Sequence, residues 1–366
     1  MTTPVFVYCA VAGHGGPVQS ILTVRDGLRR YRYEWLAGAW SEEMRRRAQG
    51  NHAGSQVLDV ARPRAMGSFT AVAQLVALMR RVQTDRMVVH ANGLTELTLL
   101  LPIVTAMPVP VVAWIHNYEI PRKARLLRRA RSMLPKRLQI AAVSRFAADM
   151  AREVLGADRE VTVIPNPISD AILSENISPD NGRLRIGYLG TDRHYKGFDH
   201  LVETIERTAG EFEWVIASRP FATDQPRWHR LMRLEGEDVR IVGRVADVSK
   251  VYAGCDVVFV PSREESFCRV AAEGLANGKF VAASDLEPLR ELSALGDTVS
   301  LFPVGDVDGA VSCLRAIGAL SQDQRRDRGA YVAGRTREAF SLESVAGKLE
   351  SLYDRASAKV DRSKTA

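Results

Sequence analysis

The chain has 366 residues, 46% of them hydrophobic and 25% charged, with a formal net charge of +7 and a pI near 9.4. This composition is typical of a soluble globular protein with room for two domains, and it excludes a disordered or fibrous chain. No apolar run approaches the roughly 20 residues of a membrane span, and the first residues lack the basic region of a signal peptide. The four cysteines are scattered and match neither a zinc site nor a disulfide framework, so we expect a cytoplasmic protein with reduced thiols.

Strand and helix patterns alternate through the first half of the chain. Helical patterns begin near Pro17 and Ser144 and cover residues 68–82. Apolar, β-branched segments predict strands at residues 5–12, 56–60, 87–90, 109–116 and 138–143. This order predicts an α/β domain with a parallel sheet and helices on both faces.

A second series of the same kind follows a segment rich in Pro, Asn, Ser and Gly at residues 165–182, which is typical of a linker. Its strands are predicted at residues 184–190, 214–218, 239–242, 256–260 and 280–283. We therefore predict one domain at residues 1–168 and another at 169–340, then a last helix at 341–356. The charged residues 357–366 are predicted to form a disordered tail.

Residues 261–278 are the most informative segment, because a buried strand leads there into a loop and then a helix. Loops at the carboxyl ends of parallel strands bind ligands in open α/β sheets, and the first amides of the following helix can receive an anion. Glu265 and Glu273 lie on this segment. Isolated acidic residues would merely cap the helix or be solvated, but two carboxylates here are also suited to accept ligand hydroxyl groups.

The pattern Pro-Ser-x-x-Glu-Ser-Phe-x-x-Val-x-x-Glu-Gly-x-Ala-x-Gly resembles the signature of retaining glycosyltransferases of the GT-B fold, family 4 in particular. The resemblance implies two Rossmann-like doubly wound domains facing a cleft, with the last helix packed back onto the first domain. It implies that Glu265 contacts the donor sugar and Glu273 the nucleotide ribose. The residues between them would complete the donor site: Ser266, Phe267, Cys268, Arg269 and Val270. Cys268 stands where glycine is frequent in the family.

The loop after the first strand of the second domain resembles the family's phosphate-binding loop, Gly-(Arg)-x-Lys-Gly. Arg193 and Lys196 are implied to grip the diphosphate, although Thr191 occupies the position after the glycine where Arg is common. Two solvated basic residues are the alternative. Further along, Val245 resembles the residue that borders the base.

In the first domain, Gly15 and Gly16 precede a helix, and the resemblance assigns them a diphosphate or acceptor contact, with a simple tight turn as the alternative. His116 ends a buried strand and matches a family histidine near the anomeric carbon. Asn166 resembles the family's hinge segment but is followed by a proline where glycine is usual, so we expect it to shape the crossover.

Residues Arg122–Arg137 include eight basic residues and no acid, with apolar residues at helical spacing among them. Such a helix can lie on an anionic membrane surface, on the inner face of the membrane, or can be an ordinary solvated helix; both interpretations stay open. The Asp306-Val-Asp308 sequence resembles a manganese motif of another fold, but its place before a helix predicts capping, and we expect no catalytic metal.

The predicted reaction is retaining transfer of a sugar from a nucleoside-diphosphate-sugar to a glycan, glycolipid or small-molecule acceptor, with no cofactor besides this co-substrate. A nucleotide-sugar epimerase or a phosphorylase of the same architecture is the nearest alternative enzyme. A dinucleotide oxidoreductase is disfavoured because neither domain has the glycine fingerprint with an acidic ribose ligand. A non-catalytic binder of nucleic acid or of an anionic surface is the alternative of another class, although we expect no nucleic-acid partner.

Overall fold

The computed structural model describes residues 3–9, 16–37, 42–49, 57–59, 87–116, 124–174, 182–220 and 226–364. The chain divides into two compact units: residues 1–167 with 342–366 form the first unit, and residues 168–341 form the second. The helix expected at residues 68–82 and part of the expected linker lie outside the described residues, as do Gly15, Arg122 and Lys123.

The described strands of the first unit form one parallel sheet in the order β3-β2-β1-β4-β5-β6-β7. Their bounds are β1 Thr3–Cys9, β2 Tyr31–Ala37, β3 Val57–Asp59, β4 Val88–Ala91, β5 Val111–Ile115, β6 Gln139–Ala142 and β7 Val161–Val163. The sequence pattern predicts neither β2 nor β7. Arg32 and Glu34 interrupt the apolar run of β2, and β7 has only three residues.

Helices flank this sheet, and their bounds follow from local signals. Ser144 accepts a hydrogen bond from the backbone N–H of Ala147 at 3.0 Å and so caps the helix that begins at Arg145, at the predicted start. The described helices of this unit are Gly16–Arg25, Glu42–Gln49, Leu94–Leu99, Leu101–Ala106, Ala124–Ala130, Arg145–Leu155 and Leu342–Lys364, with a 3-10 turn at Arg131–Met133.

The C-terminal helix is tied to the first unit by a buried carboxylate. Glu350 accepts the backbone N–H groups of Arg29 at 2.8 Å and of Arg30 at 2.7 Å, and it pairs with the Arg30 Nε at 2.9 Å. The Tyr31 hydroxyl donates to Asp354 one turn further on, at 2.6 Å. These contacts join two segments more than 300 residues apart in sequence, which explains why the helix belongs to this unit.

The prediction of a disordered tail is wrong for residues 357–364, which continue the C-terminal helix to Lys364. Ala, Lys and Arg in this segment are good helix formers. Charged composition alone does not separate a solvated helix from a coil, so the pattern that predicted disorder also fits an extension of the helix.

His90 lies in the middle of the first unit, on β4, and is completely buried. Its Nδ1 lies 2.7 Å from the Tyr353 hydroxyl of the C-terminal helix, which in turn lies 2.9 Å from the Tyr33 hydroxyl. Burial, and to a smaller extent the charge of the neighbouring His116, lower the pKa of His90 to about 3. His90 is therefore neutral in the folded protein throughout the physiological pH range.

This burial makes the first unit sensitive to acid. Below pH 6.5 the unfolded chain binds a proton at His90 that the folded chain does not bind until about pH 3, so stability falls with pH across that window. The contribution is about 1.4 kcal/mol per pH unit. We expect urea unfolding at pH 7.5, 6 and 5 to show that the stability difference between wild type and His90→Asn shrinks as pH falls. A difference that does not change with pH would contradict the buried, neutral state of His90.

The described strands of the second unit form another parallel sheet, in the order β10-β9-β8-β11-β12-β13. Their bounds are β8 Arg185–Leu189, β9 Glu213–Ala217, β10 Val239–Ile241, β11 Val257–Val260, β12 Phe280–Ser284 and β13 Val299–Phe302. Phe259 stacks on Phe302 and meets Trp214 edge-on, with ring centroids 5.7 and 5.6 Å away. Of these strands, only β13 is absent from the sequence prediction.

The helices of the second unit cover both faces of its sheet. Gly278, with φ of 69°, ends the helix Arg269–Ala276 in the left-handed conformation that an Asn-Gly pair predicts. The described helices are Phe198–Arg207, Pro226–Met232, Ser249–Ala253, Arg269–Ala276, Glu287–Ser293, Val307–Gly318 and Gln322–Ala339, with 3-10 turns at Asp170–Ile172 and His194–Lys196.

The prediction of an α/β fold with two doubly wound parallel sheets is confirmed. In each unit the strand order reverses between two central strands: β1 and β4 in the first, β8 and β11 in the second. Ligands bind at the carboxyl edge of such a reversal because the loops diverge there and leave a crevice.

Candidate functional site

Two loops of the second unit carry most of the predicted site residues. Residues 190–197 follow β8, and residues 261–268 follow β11, its neighbour in the sheet. Both loops therefore leave the same edge at the reversal of strand order. Arg193 and Lys196 lie on the first loop, and Glu265 lies on the second.

The two loops are in direct backbone contact. Gly197 has φ of 64°, and a Cβ atom added to it would lie 1.7 Å from the carbonyl oxygen of Pro261, so only glycine fits. The backbone N–H of Arg263 donates to the carbonyl of Tyr195 at 2.8 Å. The predicted phosphate-binding loop, with Lys196 and Gly197, is thus packed against the start of the signature segment at Pro261 and Ser262.

Lys196 and Glu265 form an ion pair between the loops. The Lys196 Nζ lies 2.7 Å from the Glu265 Oε1, which also accepts the Ser262 hydroxyl at 2.9 Å. Burial by itself would lower the pKa of Lys196. The charge of Glu265 and the hydrogen bond to Glu265 outweigh this effect, so the pKa of Lys196 is raised. The ammonium therefore stays charged at neutral pH, and its partner carboxylate is held in a fixed position.

Glu273 lies in the second turn of the helix Arg269–Ala276 and is buried. Its Oε2 accepts the Tyr252 hydroxyl at 2.8 Å, and its Oε1 accepts the Arg269 Nη2 at 2.8 Å. Each carboxylate oxygen can accept a further bond, so these two contacts orient the group without saturating it. Glu273 is not the solvated acid that an isolated residue would be.

Cys268 is the residue just before this helix and has φ of 64°, a left-handed conformation that is otherwise confined to glycines among the described residues. A side chain in this conformation costs about 1–2 kcal/mol, which explains why a glycine suits the position. Burial raises the pKa of the Cys268 thiol well above its usual range, and the charge of Glu265 adds to this. The thiol is therefore neutral and unreactive in the folded protein.

Arg193 and Lys196 flank the ring of Tyr195 on the 3-10 turn. The Arg193 Cζ lies 6.0 Å and the Lys196 Nζ 5.4 Å from the ring centroid. Arg193 is exposed, whereas Lys196 is half-buried. The other predicted donor residues lie on the signature segment: Ser266, Phe267 packed on Phe340 with ring centroids 5.3 Å apart, Arg269 and Val270.

An apolar surface lies at the carboxyl ends of β8, β9 and β10. Val245 packs there, together with Leu189 and Val242, on a buried group formed by Val215, Ala217 and Val251. Ser218 directly follows β9, is buried, and its Oγ has no hydrogen-bond partner in the described part of the chain. The predicted strand 214–218 ended at Ser218, and the observed strand ends one residue earlier.

His116 of the first unit is buried at the end of β5 and held in one orientation. Its ring packs on Trp114 with centroids 4.3 Å apart, and its Nδ1 lies 3.1 Å from the Asn166 Oδ1. Because that oxygen only accepts, Nδ1 carries the hydrogen in this pair. Asn166 thus orients His116, a role that the sequence analysis did not assign. Gly16 begins the helix Gly16–Arg25.

The basic segment is only partly a free surface. Arg137 donates to the carbonyl of Val104 at 2.9 Å, and Arg128 pairs with Glu153. The apolar residues Leu127, Ala130 and Leu134 are buried in the unit. Two apolar side chains, Leu126 and Met133, are 52% and 66% exposed, among the exposed basic residues Arg125, Arg129, Arg131 and Lys136.

Asp306 accepts the backbone N–H of Gly309 at 2.9 Å and caps the helix Val307–Gly318, as predicted. Asp308 instead pairs with Arg207, so it is not a second cap. Within the described residues, no group of three or more His, Cys, Asp or Glu is placed to hold a metal ion. No helix in the described part of the chain is long and apolar enough to cross a membrane.

Solved structures with the same fold are GT-B glycosyltransferases. A glycosyltransferase from Rickettsia africae matches 97% of this chain and 98% of its own, with a TM-score of 0.79 and 15% identity. HepE of Anabaena, solved in complex with UDP, matches 96% of this chain and 99% of its own, with a TM-score of 0.79 and 17% identity. The fold and the two loops thus define the class: a GT-B protein.

Two family models cover most of the chain. Residues 14–171 match Glycosyltransferase Family 4, and residues 183–322 match Glycosyl transferases group 1. The chain belongs to this family of glycosyltransferases, as the signature segment predicts.

Among curated proteins, the chain is similar to mannosyltransferases. It is 34% identical to the phosphatidyl-myo-inositol mannosyltransferase of Mycolicibacterium smegmatis over 204 residues, which are 52% of this chain and 50% of that protein. It is 26% identical to the MMP alpha-(1->4)-mannosyltransferase of Mycolicibacterium hassiacum over 246 residues, 64% of this chain and 57% of that protein. The chain thus matches little more than half the length of these relatives.

Proposed function

We propose that the protein is a retaining, metal-independent glycosyltransferase that uses a nucleoside-diphosphate-sugar. The observation that carries the proposal is the Lys196–Glu265 ion pair, because it places a cation and a fixed carboxylate together at the strand reversal of the second unit. A diphosphate leaving group needs a cation, and a sugar needs hydroxyl acceptors; the pair supplies both.

Each site residue has a role in this proposal. Lys196, Arg193 and the first amides of the helix Arg269–Ala276 stabilise the departing diphosphate. Glu265 accepts hydroxyls of the donor sugar and Glu273 those of the ribose, while Val245 borders the base. His116 contacts the donor sugar, with its ring orientation set by Asn166.

Retention is proposed to arise by displacement on one face of the sugar. The acceptor oxygen forms a bond to the anomeric carbon as the bond to the phosphate oxygen breaks. The proton of the acceptor hydroxyl passes to the departing phosphate oxygen. The scheme requires neither a nucleophilic side chain nor a metal.

The names of both relatives support a mannosyl donor, and the name of the first supports a phosphatidyl-myo-inositol acceptor. A lipid acceptor would require the protein to reach a membrane surface on its cytoplasmic side. Leu126 and Met133, exposed among cationic residues, are suited to insert at the edge of an anionic bilayer. We expect the protein to float with phosphatidylglycerol vesicles and to lose this binding when Leu126 and Met133 are both replaced by Asp. Unchanged flotation of the double variant would argue against membrane contact through these two side chains.

A donor screen tests the proposed function. We expect GDP-mannose, UDP-glucose or ADP-glucose to raise the Tm in the presence of EDTA, and the stabilising donor to be turned over with an α-linked acceptor product. Anomeric configuration is read by NMR of that product. Inversion would overturn the retaining mechanism, and loss of turnover in EDTA would overturn metal independence. Salt-dependent RNA binding with no stabilisation by any donor would favour the non-catalytic alternative.

A further inference from the structure

Arg263 lies at the variable third position of the signature segment, where neither the motif nor the proposed chemistry assigns a role. Within the described part of the chain, its guanidinium makes four contacts, which join it to the loop that carries Lys196 and to the helix that follows this loop. Nη1 donates to the carbonyl of His194 at 2.7 Å and to the Asp199 Oδ1 at 2.7 Å. Nη2 donates to the Asp199 Oδ2 at 2.5 Å and to the His200 Nε2 at 2.6 Å.

These contacts surround Lys196 in sequence. His194 and Tyr195 precede it, and their carbonyls receive the side chain and the backbone N–H of Arg263. Asp199 and His200 follow it, in the first turn of the helix Phe198–Arg207. A single residue of the second loop therefore holds the first loop on both sides of the lysine.

The turn that carries Lys196 has little stability of its own. It is one 3-10 turn of three residues, His194–Lys196, closed by the Lys196 N–H to Arg193 bond and the Gly197 N–H to His194 bond, both 3.0 Å. Isolated turns of this kind are marginal because few bonds offset the ordering of the chain. The direction of the Lys196 side chain therefore depends on what holds the turn from outside.

The charges around Arg263 favour one geometry. Burial by itself would raise the pKa of Asp199. The hydrogen bonds and the charge of Arg263 outweigh this effect, and the pKa of Asp199 is lowered to about 2. Burial, then the charge of Arg263, lowers the pKa of His200. The carboxylate is ionised and the imidazole neutral at pH 7, so both can accept from the guanidinium, whose planar fork a lysine lacks.

From this arrangement we infer that Arg263 is a positioning residue: it fixes the turn His194–Lys196 so that Lys196 meets the diphosphate of the donor. The inference rests on the proposed function for its last step. It separates Arg263 from the residues that contact the ligand, and it gives the variable position of the signature a function.

The test compares Arg263→Gln with Arg315→Gln. Arg315 makes a similar two-bond pair with Glu211 in the same unit, at 2.8 and 2.6 Å, away from both loops. In the ligand-free protein, we expect the amides of Lys196 and Gly197 to exchange with deuterium at least tenfold faster in Arg263→Gln and at the wild-type rate in Arg315→Gln. Unchanged exchange in Arg263→Gln would overturn the positioning role.

Nucleotide binding supplies the second measurement. GDP and GMP, with UDP and UMP as the other pair, are titrated by calorimetry into each variant. We expect Arg263→Gln to weaken diphosphate binding about tenfold and monophosphate binding less than twofold, with Arg263→Lys between it and wild type. Equal losses for both nucleotides would overturn the link to Lys196. If wild type binds no nucleotide while exchange is faster in Arg263→Gln, the proposed function fails and the positioning of the turn stands.

Discussion

Replacing Lys196 with alanine is expected to lower kcat/KM for transfer by about 10² to 10³, the usual loss when one preorganised group that stabilises transition-state charge is removed. The loss should appear mainly in kcat, since the diphosphate gains charge as it departs. Steady-state kinetics with the donor identified by thermal stabilisation measure the effect. Retention of more than a tenth of the wild-type kcat/KM would remove Lys196 from the diphosphate site.

A double substitution separates this effect from loss of structure. Lys196→Ala leaves the buried Glu265 carboxylate with the Ser262 hydroxyl as a remaining partner, at a cost of up to about 3 kcal/mol of stability. Lys196→Ala combined with Glu265→Gln removes the unpaired charge, so its unfolding free energy should recover. Its activity should be no higher than that of Lys196→Ala, because Glu265 is itself proposed to bind the donor sugar. Recovery of both would show that the lysine acts only on stability.

Replacing Glu273 with alanine is expected to weaken donor binding 10- to 100-fold, because hydrogen bonds to a charged group contribute about 1.5–3 kcal/mol. The carboxylate is buried and already oriented by Tyr252 and Arg269, so little ordering opposes ribose binding. Calorimetric titration of the nucleoside diphosphate measures the change. Unchanged affinity would exclude Glu273 from the ribose site.

Tyr252→Phe is the matched control for Glu273→Ala. It removes one hydrogen bond to the Glu273 Oε2 but keeps the carboxylate and the Arg269 contact. We expect a loss of about 1 kcal/mol in stability and a change in donor affinity of threefold or less. If the two variants lose affinity equally, Glu273 acts through the packing of its helix, without contacting ribose.

Most strands and helices could be predicted, because their apolar or helix-forming residues follow one another directly in the sequence. The apolar run before Pro261 predicted β11, and the Ala-rich segment ending in Asn277-Gly278 predicted the helix Arg269–Ala276. β2 was missed because Arg32 and Glu34 break its apolar run, although β1 and β3 flank it in the sheet. Propensity is a local quantity, and pairing with neighbouring strands overrides it.

The sequence predicted residues for the candidate site but not the side chains that orient them. The Glu-x7-Glu spacing and the Lys-Gly loop were visible in the sequence, and the structure places both loops at one sheet edge. The orienting partners Asn166, Tyr252 and Arg263 were not recognised. Their residue types do not reveal a partner, and what distinguishes them is the atom that each one contacts.

Membership in the glycosyltransferase family, the α/β alternation and the identity of the two loops follow from the order of residues alone. Tertiary structure decided which side chains meet: Lys196 with Glu265 across 69 residues, Arg263 with Asp199 across 64, and His116 with Asn166 across 50. Apolar patterning specifies that strands are buried but leaves their order in the sheet open. These contacts exist only once β8 lies beside β11 and β5 and β7 lie on either side of β6, because strand order brings distant loops to the same edge.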